Sequence, residues 1–403
     1  MSPSRDYDLC VIGGAGHVGL PLALVFARAG QRVLIYDLNE AAIRTIAGGA
    51  MPFIEYGAEP LLTSALRDDK LGFTSNASDL SRARAVIVAV GTPVDEYLNP
   101  KLRALLDLFK SIRPHLDADQ TIVIRSTVFP RTCRHVLRFL SKDGGDWHVA
   151  YCPERIAQGY AIRELDELPQ IVSGCTPEAA SRATALFSLV APQVIQLEVE
   201  EAELAKLFTN AWRYIQFAAA NQFYMIAQGI GVDFNRVRKA MVDGYGRAAS
   251  LPSAGFAAGP CLLKDTMQLA AFNANSFSLG HAAMAVNEGL PSFLVEQLKQ
   301  RHKLDETSVG ILGMAFKADI DDIRDSLSYK LGKVLRFHGA QVYYSDEYAV
   351  DPTFVSKEVL VEKSDVVIVG VPHSAYRTLV VPERVEVVDL WGVVRRHAAV
   401  PVA

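Results

Sequence analysis

The sequence predicts an α/β protein with two Rossmann-like, doubly wound domains that are joined by a long central helix and a further helical region. Three observations support this prediction. A strand, a glycine-rich turn, a helix and a second strand open the chain, residues 201–228 contain no Gly or Pro, and a new alternation of strands and helices begins near Ser308. A length of 403 residues also favours two or three domains. We expect domains at 1–199, 200–300 and 301–403.

The N-terminal segment has the pattern of a dinucleotide-binding unit. An apolar run at 7–12 leads into a GxGxxG motif, an apolar helical stretch and a second strand, and Asp37 follows 18 residues after the last glycine. The turn brings backbone amides close to a pyrophosphate, and a carboxylate at Asp37 binds a ribose and repels a 2′-phosphate, which favours NAD over NADP. The alternative is a structural turn with a surface acid. The candidate cofactor residues here are Gly14, Gly16, His17, Val18, Gly19 and Asp37.

Polar residues follow three further predicted strands, at 85–90, 121–124 and 149–151. Ligands of doubly wound sheets bind beyond the carboxyl ends of the strands, so Thr92, Ser126 and Thr127 are candidates to contact a cofactor or substrate. Hydroxyl residues are also common turn formers. Glu154, before Arg155, is a candidate acid, base or water-orienting group. The alternative for Glu154 is a solvated carboxylate paired with Arg155.

The central segment contains the candidate nucleophile. Glu203, Lys206 and Asn210 share one face of the predicted helix at 201–228, and the alternative is a solvated polar stripe. Cys261 follows a Gly-Pro pair and precedes Lys264 and Asp265. Nearby cations and amides favour the reactive thiolate, although a cysteine is more often a small buried apolar residue. Further helices are predicted at 233–242 and 265–273.

The third segment alternates predicted strands, at 309–316, 342–345, 366–371 and 385–390, with a helix at 326–337. It resembles a second Rossmann-type unit without the full glycine fingerprint. The loop 317–326 is dense in charge, and Lys317 and Arg324 are candidate phosphate ligands unless the loop is simply a solvated surface.

Composition excludes several classes of function. A net charge of −4 gives no electrostatic reason to expect nucleic acid or an anionic membrane as partner. Five widely spaced cysteines without a CxxC pair argue against a disulfide framework and against a metal site. Neither a secretory signal nor a membrane-spanning apolar run is found, so we expect a cytoplasmic protein.

Seven motifs in order resemble the UDP-sugar 6-dehydrogenase family, which includes UDP-glucose and UDP-N-acetylhexosamine dehydrogenases. They are VIGGAGHVGLP at 11–21, VGTP at 90–93, STV at 126–128, CPER at 152–155, AELAKLFTN at 202–210, GPCLLKDT at 259–266 and MAFKADIDDIRDS at 314–326. The resemblance covers nearly the whole chain. It implies an oxidation of a primary alcohol to a carboxylate that uses two NAD⁺, with a thiohemiacetal and a thioester on the cysteine.

The resemblance also implies residue roles. Lys206 and Asn210 would stabilise an alkoxide, Asp265 would assist proton transfer, Cys261 would attack the aldehyde, and Glu154 and Thr127 would assist hydrolysis. Lys264 and Arg324 would contact the cofactor, together with Thr92, Ser126 and Thr127. The implied substrate contacts are Glu154, Arg155, Lys206, Asn210, Arg247, Phe256, Gly259 and Lys317. A homodimer or larger homo-oligomer built on the long helix is expected.

The sugar is contested between motifs. The segment around CPER resembles the branch that acts on N-acetylhexosamines, while KDT after the cysteine resembles the UDP-glucose branch. We favour UDP-N-acetylmannosamine or UDP-N-acetylglucosamine and keep UDP-glucose as the alternative. Two other classes share the architecture: the 3-hydroxyacid and 6-phosphogluconate dehydrogenases, which lack a third α/β domain, and a non-catalytic NAD-binding protein, which would have lost the reactive residues.

Overall fold

The computed structural model describes residues 5–92, 95 and 102–394, and Pro93 of the VGTP motif lies outside this range. The chain divides into two compact units, Met1–Thr209 and Asn210–Ala403. Each unit contains a sheet of its own. Helix α8 (Val199–Gly229) crosses the boundary between them, as one continuous helix that matches the prediction at 201–228.

Within the described part of the first unit, eight strands form one sheet in the order β3-β2-β1-β4-β5-β6-β7-β8. The sheet is parallel except where β6 pairs with β7. The reversal of strand order between β1 and β4 is the switch point at which such sheets bind ligands. The strands are β1 (Tyr7–Ile12), β2 (Val33–Tyr36), β3 (Leu71–Thr74), β4 (Ala83–Val88), β5 (Thr121–Ile124), β6 (His148–Tyr151), β7 (Gln170–Gly174) and β8 (Val194–Gln196).

Apolar residues cover both faces of this sheet. Leu9 and Val11 of β1 belong to one core cluster, whereas Cys10 and Ile12 belong to another, because successive side chains of a strand point to opposite faces. Helices pack on these faces, which is why the strands are continuous apolar runs. The helices are α1 (Gly19–Arg28), α2 (Glu40–Ala47), α3 (Ala58–Arg67), α4 (Leu102–Ile112), α5 (Thr132–Leu140), α6 (Ala161–Glu167) and α7 (Pro177–Phe187).

The second unit begins with helices. After α8 come α9 (Phe234–Val242), α10 (Leu262–Phe272) and α11 (Ser278–Lys299). Helix α10 begins three residues before the predicted start at Asp265, and Cys261 occupies its N-cap position. Helix α11 was not predicted, because Pro291 and two glycines lie inside it.

A parallel four-stranded sheet completes the second unit, in the order β10-β9-β11-β12. Strand β9 ends at Leu312 rather than at the predicted Phe316, since Gly313 has a φ of +90° and turns the chain. The elements are β9 (Ser308–Leu312), α12 (Leu327–Phe337), β10 (Gln341–Ser345), α13 (Lys357–Lys363), β11 (Val366–Val369) and β12 (Glu386–Val388).

Candidate functional site

The turn after β1 has no room for a side chain at two of its glycines. Gly13 has a φ of +76°, and a Cβ there would lie 2.8 Å from the carbonyl oxygen of Ala89. A Cβ on Gly19 would lie 2.2 Å from the carbonyl oxygen of Gly13. The turn therefore requires glycine at both positions, and Gly13 is a member of the turn that the GxGxxG pattern did not identify. No side chain caps the N-terminus of α1, which leaves its amides to face an anion.

Asp37, directly after β2, is hydrogen-bonded to the glycine turn. Its Oδ2 accepts a hydrogen bond from the amide of Ala15 at 3.0 Å, and its Oδ1 accepts one from the amide of Asn39 at 2.9 Å. A carboxylate has about four acceptor positions, so two remain for the hydroxyls of a ribose. The ring of His17 in the same turn stacks on Phe53 with centroids 4.0 Å apart.

Ser126 lies at the end of β5, as predicted, but its side chain bonds within the protein. Its hydroxyl lies within hydrogen-bonding distance of the carbonyl oxygens of Val88, at 3.2 Å, and Val90, at 2.7 Å, which ties the ends of β5 and β4 together. Thr92 and Thr127 are partly exposed near the same strand ends.

Glu154 pairs with Arg125 and not with the Arg155 side chain. The Arg125 side chain is fully buried, and its Nε donates to Oε2 of Glu154 at 2.7 Å. The other carboxylate oxygen, Oε1, accepts from the amides of Arg155 and Ile156. The Arg155 guanidinium instead donates to the carbonyl oxygen of Pro169, and burial lowers the pKa of Arg155. The alternative of a solvated carboxylate is therefore wrong.

The three polar residues predicted to share one face of α8, Glu203, Lys206 and Asn210, are all buried but have different surroundings. Glu203 is fully buried and accepts from the amides of Arg131, at 2.5 Å, and Cys133, at 2.9 Å, so it caps the N-terminus of α5. Lys206 and Asn210 are also buried, one helical turn apart. A solvated surface stripe is excluded for all three side chains.

Cys261 stands out among the five cysteines, all of which the structure describes, because its side chain is exposed. Cys10, Cys133 and Cys152 are buried, and burial raises the pKa of Cys152 to about 12. Burial likewise raises the pKa of the half-buried Cys175 to about 12. Burial raises the pKa of all four of these thiols, which disfavours their thiolate form, whereas Cys261 is exposed at the N-terminus of α10.

One turn into α10, Asp265 is fully buried in a polar cluster. Its Oδ2 accepts a hydrogen bond from Nδ2 of Asn210 at 2.5 Å, and Nζ of Lys264 lies 3.2 Å from its Oδ1. Asn210 and Asp265 are 55 residues apart in the sequence, and the fold of the second unit brings them into direct contact. The structure thus brings Asn210 of α8 against Lys264 and Asp265, which lie in the first turn of α10 after Cys261.

The loop before Cys261 is fixed by hydrogen bonds. Asn221 of α8 accepts from the amide of Gly255 at 2.8 Å and donates to its carbonyl at 3.0 Å. Gly259 has a φ of +98°, with Phe316 packed against its Cα, and its amide donates to the carbonyl of Asp325. This last bond joins the cysteine loop to the charged loop 317–326.

Arg324, a residue of that charged loop, forms a bidentate pair with Asp322, in which Nε donates to Oδ1 and Nη2 to Oδ2. This hydrogen bonding is the main reason why the pKa of Arg324 is raised, and a smaller contribution comes from the charge of Cys261. The Arg324 side chain is about half exposed and thus remains accessible to an anionic ligand beside the thiol. Lys317 is partly exposed in the same loop.

Asp346, after β10, occupies in the second sheet the position that Asp37 has in the first. Its Oδ2 accepts from the amides of Met314 and Ala315 and from Nε2 of His373, and its Oδ1 accepts from the amides of Tyr348 and Ala349. Burial alone would raise the pKa of Asp346, but these bonds outweigh it and lower the pKa to about 2. The sequence motifs did not single out this carboxylate.

Two predicted substrate residues lie in contrasting surroundings. Phe256 is buried in the apolar core of the second unit, and Arg247 is exposed, 5.9 Å above the ring of Tyr245. Contact of either residue with a substrate stays a prediction. Among the residues that the structure describes, no group of three or more His, Cys, Asp or Glu side chains could hold a metal ion, and no helix is long and apolar enough to cross a bilayer.

Three family descriptions match consecutive parts of the chain. They are the NAD-binding domain of the UDP-glucose/GDP-mannose dehydrogenase family at residues 7–190, its central domain at 200–289 and its UDP-binding domain at 310–396. The chain belongs to the UDP-glucose/GDP-mannose dehydrogenase family. It is therefore an NAD-dependent oxidoreductase, as predicted, and the match at 310–396 excludes a 3-hydroxyacid or 6-phosphogluconate dehydrogenase.

Relatives within this family are similar along most of the chain. A UDP-N-acetyl-D-mannosamine dehydrogenase of Pyrococcus horikoshii is 29% identical over 91% of this chain and 90% of its own. The solved structure of the UDP-D-ManNAc dehydrogenase from P. horikoshii has a TM-score of 0.89 at 27% identity and covers 96% of both chains. The structure of a UDP-glucose dehydrogenase from Pyrobaculum islandicum has a TM-score of 0.88 at 28% identity and covers 96% of this chain and 95% of its own.

The geometry of the first unit fits the cofactor of the family. The glycine turn has no space for a Cβ at Gly13, Gly14 or Gly19, so that a pyrophosphate can approach the backbone closely. Asp37 keeps acceptor positions for the ribose hydroxyls, and its negative charge disfavours a 2′-phosphate. The predicted preference for NAD is thereby given a structural reason.

Proposed function

We propose that this enzyme oxidises the C6 primary alcohol of a UDP-N-acetylhexosamine to the uronic acid in two successive NAD-dependent steps. The observation that supports this most is the exposed thiol of Cys261 at the start of α10, next to the buried cluster of Asn210, Lys264 and Asp265. A simple alcohol dehydrogenase needs only a base, whereas oxidation of an aldehyde to an acid gains from a thiol that captures the aldehyde.

In the first step the alcohol loses a proton and a hydride. Lys206 and Asn210 stabilise the alkoxide charge that develops at the C6 oxygen, and Asp265 receives the proton through water. Asn210 is positioned for this role because its amide is held by Asp265. NAD⁺ supplies the hydride acceptor in each of the two oxidations.

In the second step the thiolate of Cys261 forms a bond to the aldehyde carbon and gives a thiohemiacetal. Loss of a hydride from that carbon converts it into a thioester. Water then attacks the acyl carbon, the C–S bond breaks, and the uronic acid leaves. Glu154 and Thr127 assist this hydrolysis. The net reaction consumes one water and two NAD⁺ and releases the carboxylate, two NADH and three protons.

The proposed ligand contacts follow from the same roles. For NAD they are Gly14, Gly16, His17, Val18, Gly19, Asp37, Thr92, Ser126, Thr127, Lys264 and Arg324. For the UDP-sugar they are Glu154, Arg155, Lys206, Asn210, Arg247, Phe256, Gly259 and Lys317.

We also propose the three-domain division at 1–199, 200–300 and 301–403. A nucleophilic thiol such as that of Cys261 suits the reducing conditions of the cytoplasm, which we propose as the compartment.

Two observations favour an N-acetylated sugar: the CPER segment and the similarity to the P. horikoshii enzyme. UDP-glucose is the second candidate, because the P. islandicum enzyme is nearly as similar. NADH formation with UDP-glucose, UDP-galactose, UDP-N-acetylglucosamine and UDP-N-acetylmannosamine decides between them. Two NADH per molecule of an N-acetylated sugar is the expected result. Turnover of UDP-glucose alone would contradict the proposed substrate and retain the chemistry.

A further inference from the structure

The first unit contains a buried arginine whose contacts converge on Glu154. Arg125 ends β5, and its Nη1 donates to the carbonyl oxygen of Cys152 at 3.1 Å and to Oε1 of Gln170 at 3.0 Å. Its Nε donates to Oε2 of Glu154 at 2.7 Å. The guanidinium carbon also lies 5.1 Å from the ring centroid of Phe187. These contacts hold the guanidinium in a single orientation. Because Glu154 is bonded to it, the position of the Glu154 carboxylate is fixed as well.

The hydrogen bonds of Glu154 limit what its carboxylate can do. Oε1 accepts from the amides of Arg155, at 2.7 Å, and Ile156, at 2.9 Å, and Oε2 accepts from Nε of Arg125. Nη2 of Arg125 also lies against Oε2, so the guanidinium holds one carboxylate oxygen while two backbone amides hold the other.

We propose that Arg125 is a positioning residue for thioester hydrolysis. It fixes the carboxylate of Glu154 in one orientation, and from that orientation Glu154 orients the water that attacks the thioester. This inference rests on the proposed function, since it concerns the last step of that reaction.

The step balances without a proton on Glu154. The water oxygen forms a bond to the acyl carbon, the C–S bond breaks, and the electron pair of that bond leaves with the sulfur as thiolate. One proton of the water passes to solvent, and the second leaves when the carboxylic acid ionises. No oxidant or reductant takes part.

Arg125→Lys and Arg125→Met test the inference in the full-length enzyme. With saturating NAD⁺ and the UDP-sugar that the wild-type enzyme turns over, we expect kcat to fall by about 100-fold, since a misplaced reacting group has an effect of that size. The KM for the sugar changes little. Intact-mass analysis after an acid quench then shows acyl adduct on Cys261, which the wild-type enzyme does not accumulate. We expect Arg125→Lys to retain more activity than Arg125→Met, because lysine keeps the positive charge but lacks the several N–H donors of the guanidinium.

Two further variants complete the design. Arg134→Met removes an exposed arginine that pairs with Glu200, and it should leave kcat and the adduct fraction unchanged. Glu154→Gln should accumulate the same adduct as the Arg125 variants. Where a thermal melt shows that Arg125→Met does not fold, Arg125→Lys and Glu154→Gln provide the test.

The inference is overturned if folded Arg125→Lys and Glu154→Gln turn over at the wild-type rate without adduct. It is also overturned if both lose NADH formation altogether with no adduct on Cys261, because that pattern indicates a purely structural pair. The proposed function fails separately, in the wild-type enzyme, if fewer than two NADH form per sugar.

Discussion

Cys261 differs from the other cysteines in exposure and in its place at a helix N-terminus. We expect Cys261→Ser to lower acid formation at least about a thousandfold, because a serine hydroxyl at that position is a far weaker nucleophile than a thiolate. The measurement is the rate of NADH formation at saturating substrate. Cys175→Ser, at a half-buried cysteine, is the matched control and should keep wild-type activity. Equal activity of Cys261→Ser would contradict the thioester route.

Asp37 accepts hydrogen bonds from the amides of Ala15 and Asn39, and we expect its remaining lone pairs to bind the ribose of NAD⁺. Asp37→Asn replaces the anionic acceptor with a neutral amide, and we expect the KM for NAD⁺ to rise roughly tenfold or more, since hydrogen bonds to a charged group contribute about 1.5–3 kcal/mol. The ratio of kcat/KM for NAD⁺ over NADP⁺ should fall, because the 2′-phosphate is no longer repelled. Asp68→Asn, at the exposed pair with Arg67, should change neither value. An unchanged ratio would speak against ribose recognition by Asp37.

At the scale of elements, helix α5 depends on a carboxylate from α8. Glu203 accepts from two amides at the N-terminus of α5. Glu203→Ala leaves both donors buried without a partner, and loss of a cap costs about 1–2 kcal/mol. We expect a Tm several degrees lower by differential scanning fluorimetry. Glu362→Ala, at an exposed glutamate of α13, is the control; an equal Tm loss in both variants would refute the special role of Glu203.

The turn after β9 depends in the same way on Asp346. Because the pKa of Asp346 is about 2 in the folded chain and about 3.8 ordinarily, its contribution to stability is full above pH 4 and is lost as the pH falls towards 2. The shift corresponds to roughly 2 kcal/mol. Asp346→Asn should therefore lower the Tm at pH 6, with a difference from wild type that shrinks below pH 4. A difference that stays constant with pH would contradict this linkage.

Several elements could be predicted from the sequence to the residue. Strands β1 and β5 have the predicted bounds, because their apolar runs are flanked by glycine or by charged residues. Helix α11 was missed since Pro291 is typical of a helix end, whereas this helix is stabilised by burial of residues such as Leu290 and Leu294. Tertiary packing outweighs local propensity at this site.

The candidate active site was only partly predictable, because some of its contacts join residues that are far apart in the sequence. Cys261, Lys264 and Asp265 are neighbours in the sequence, so their proximity was evident. The pair of Arg125 and Glu154 joins residues 29 apart through the adjacent ends of β5 and β6. No local pattern encodes such a contact, because it depends on strand order.

At the scale of the whole molecule, one surface of α8 remains apolar and exposed. Phe223 and Ile226 lie along it, three residues apart and thus on one face of the helix. Ile230 directly follows the last residue of α8, and the exposed fractions of Ile226 and Ile230 are 59% and 76%. We propose that a second copy of the chain covers this face in a homodimer.

Ile226→Asp tests this assembly. A carboxylate in an apolar interface is costly, so we expect the variant to elute as a monomer in size-exclusion chromatography with light scattering, while wild type elutes as a dimer. Val380→Asp, at another exposed apolar residue in the second unit, should leave the mass unchanged. A wild-type mass in the Ile226 variant would show that this face is not the interface.

The two sheets of the chain carry the same device, a glycine turn whose amides bond to an acid after the neighbouring strand. In the first, Asp37 accepts from one amide of the turn and from the amide of Asn39. In the second, Asp346 accepts from two amides of the turn, from the amides of Tyr348 and Ala349 and from Nε2 of His373. We therefore expect a ribose hydroxyl to find acceptor positions at the first turn, whereas the carboxylate of Asp346 already uses its own within the protein. Two turns of the same architecture can thus differ in ligand preference through a few internal hydrogen bonds alone.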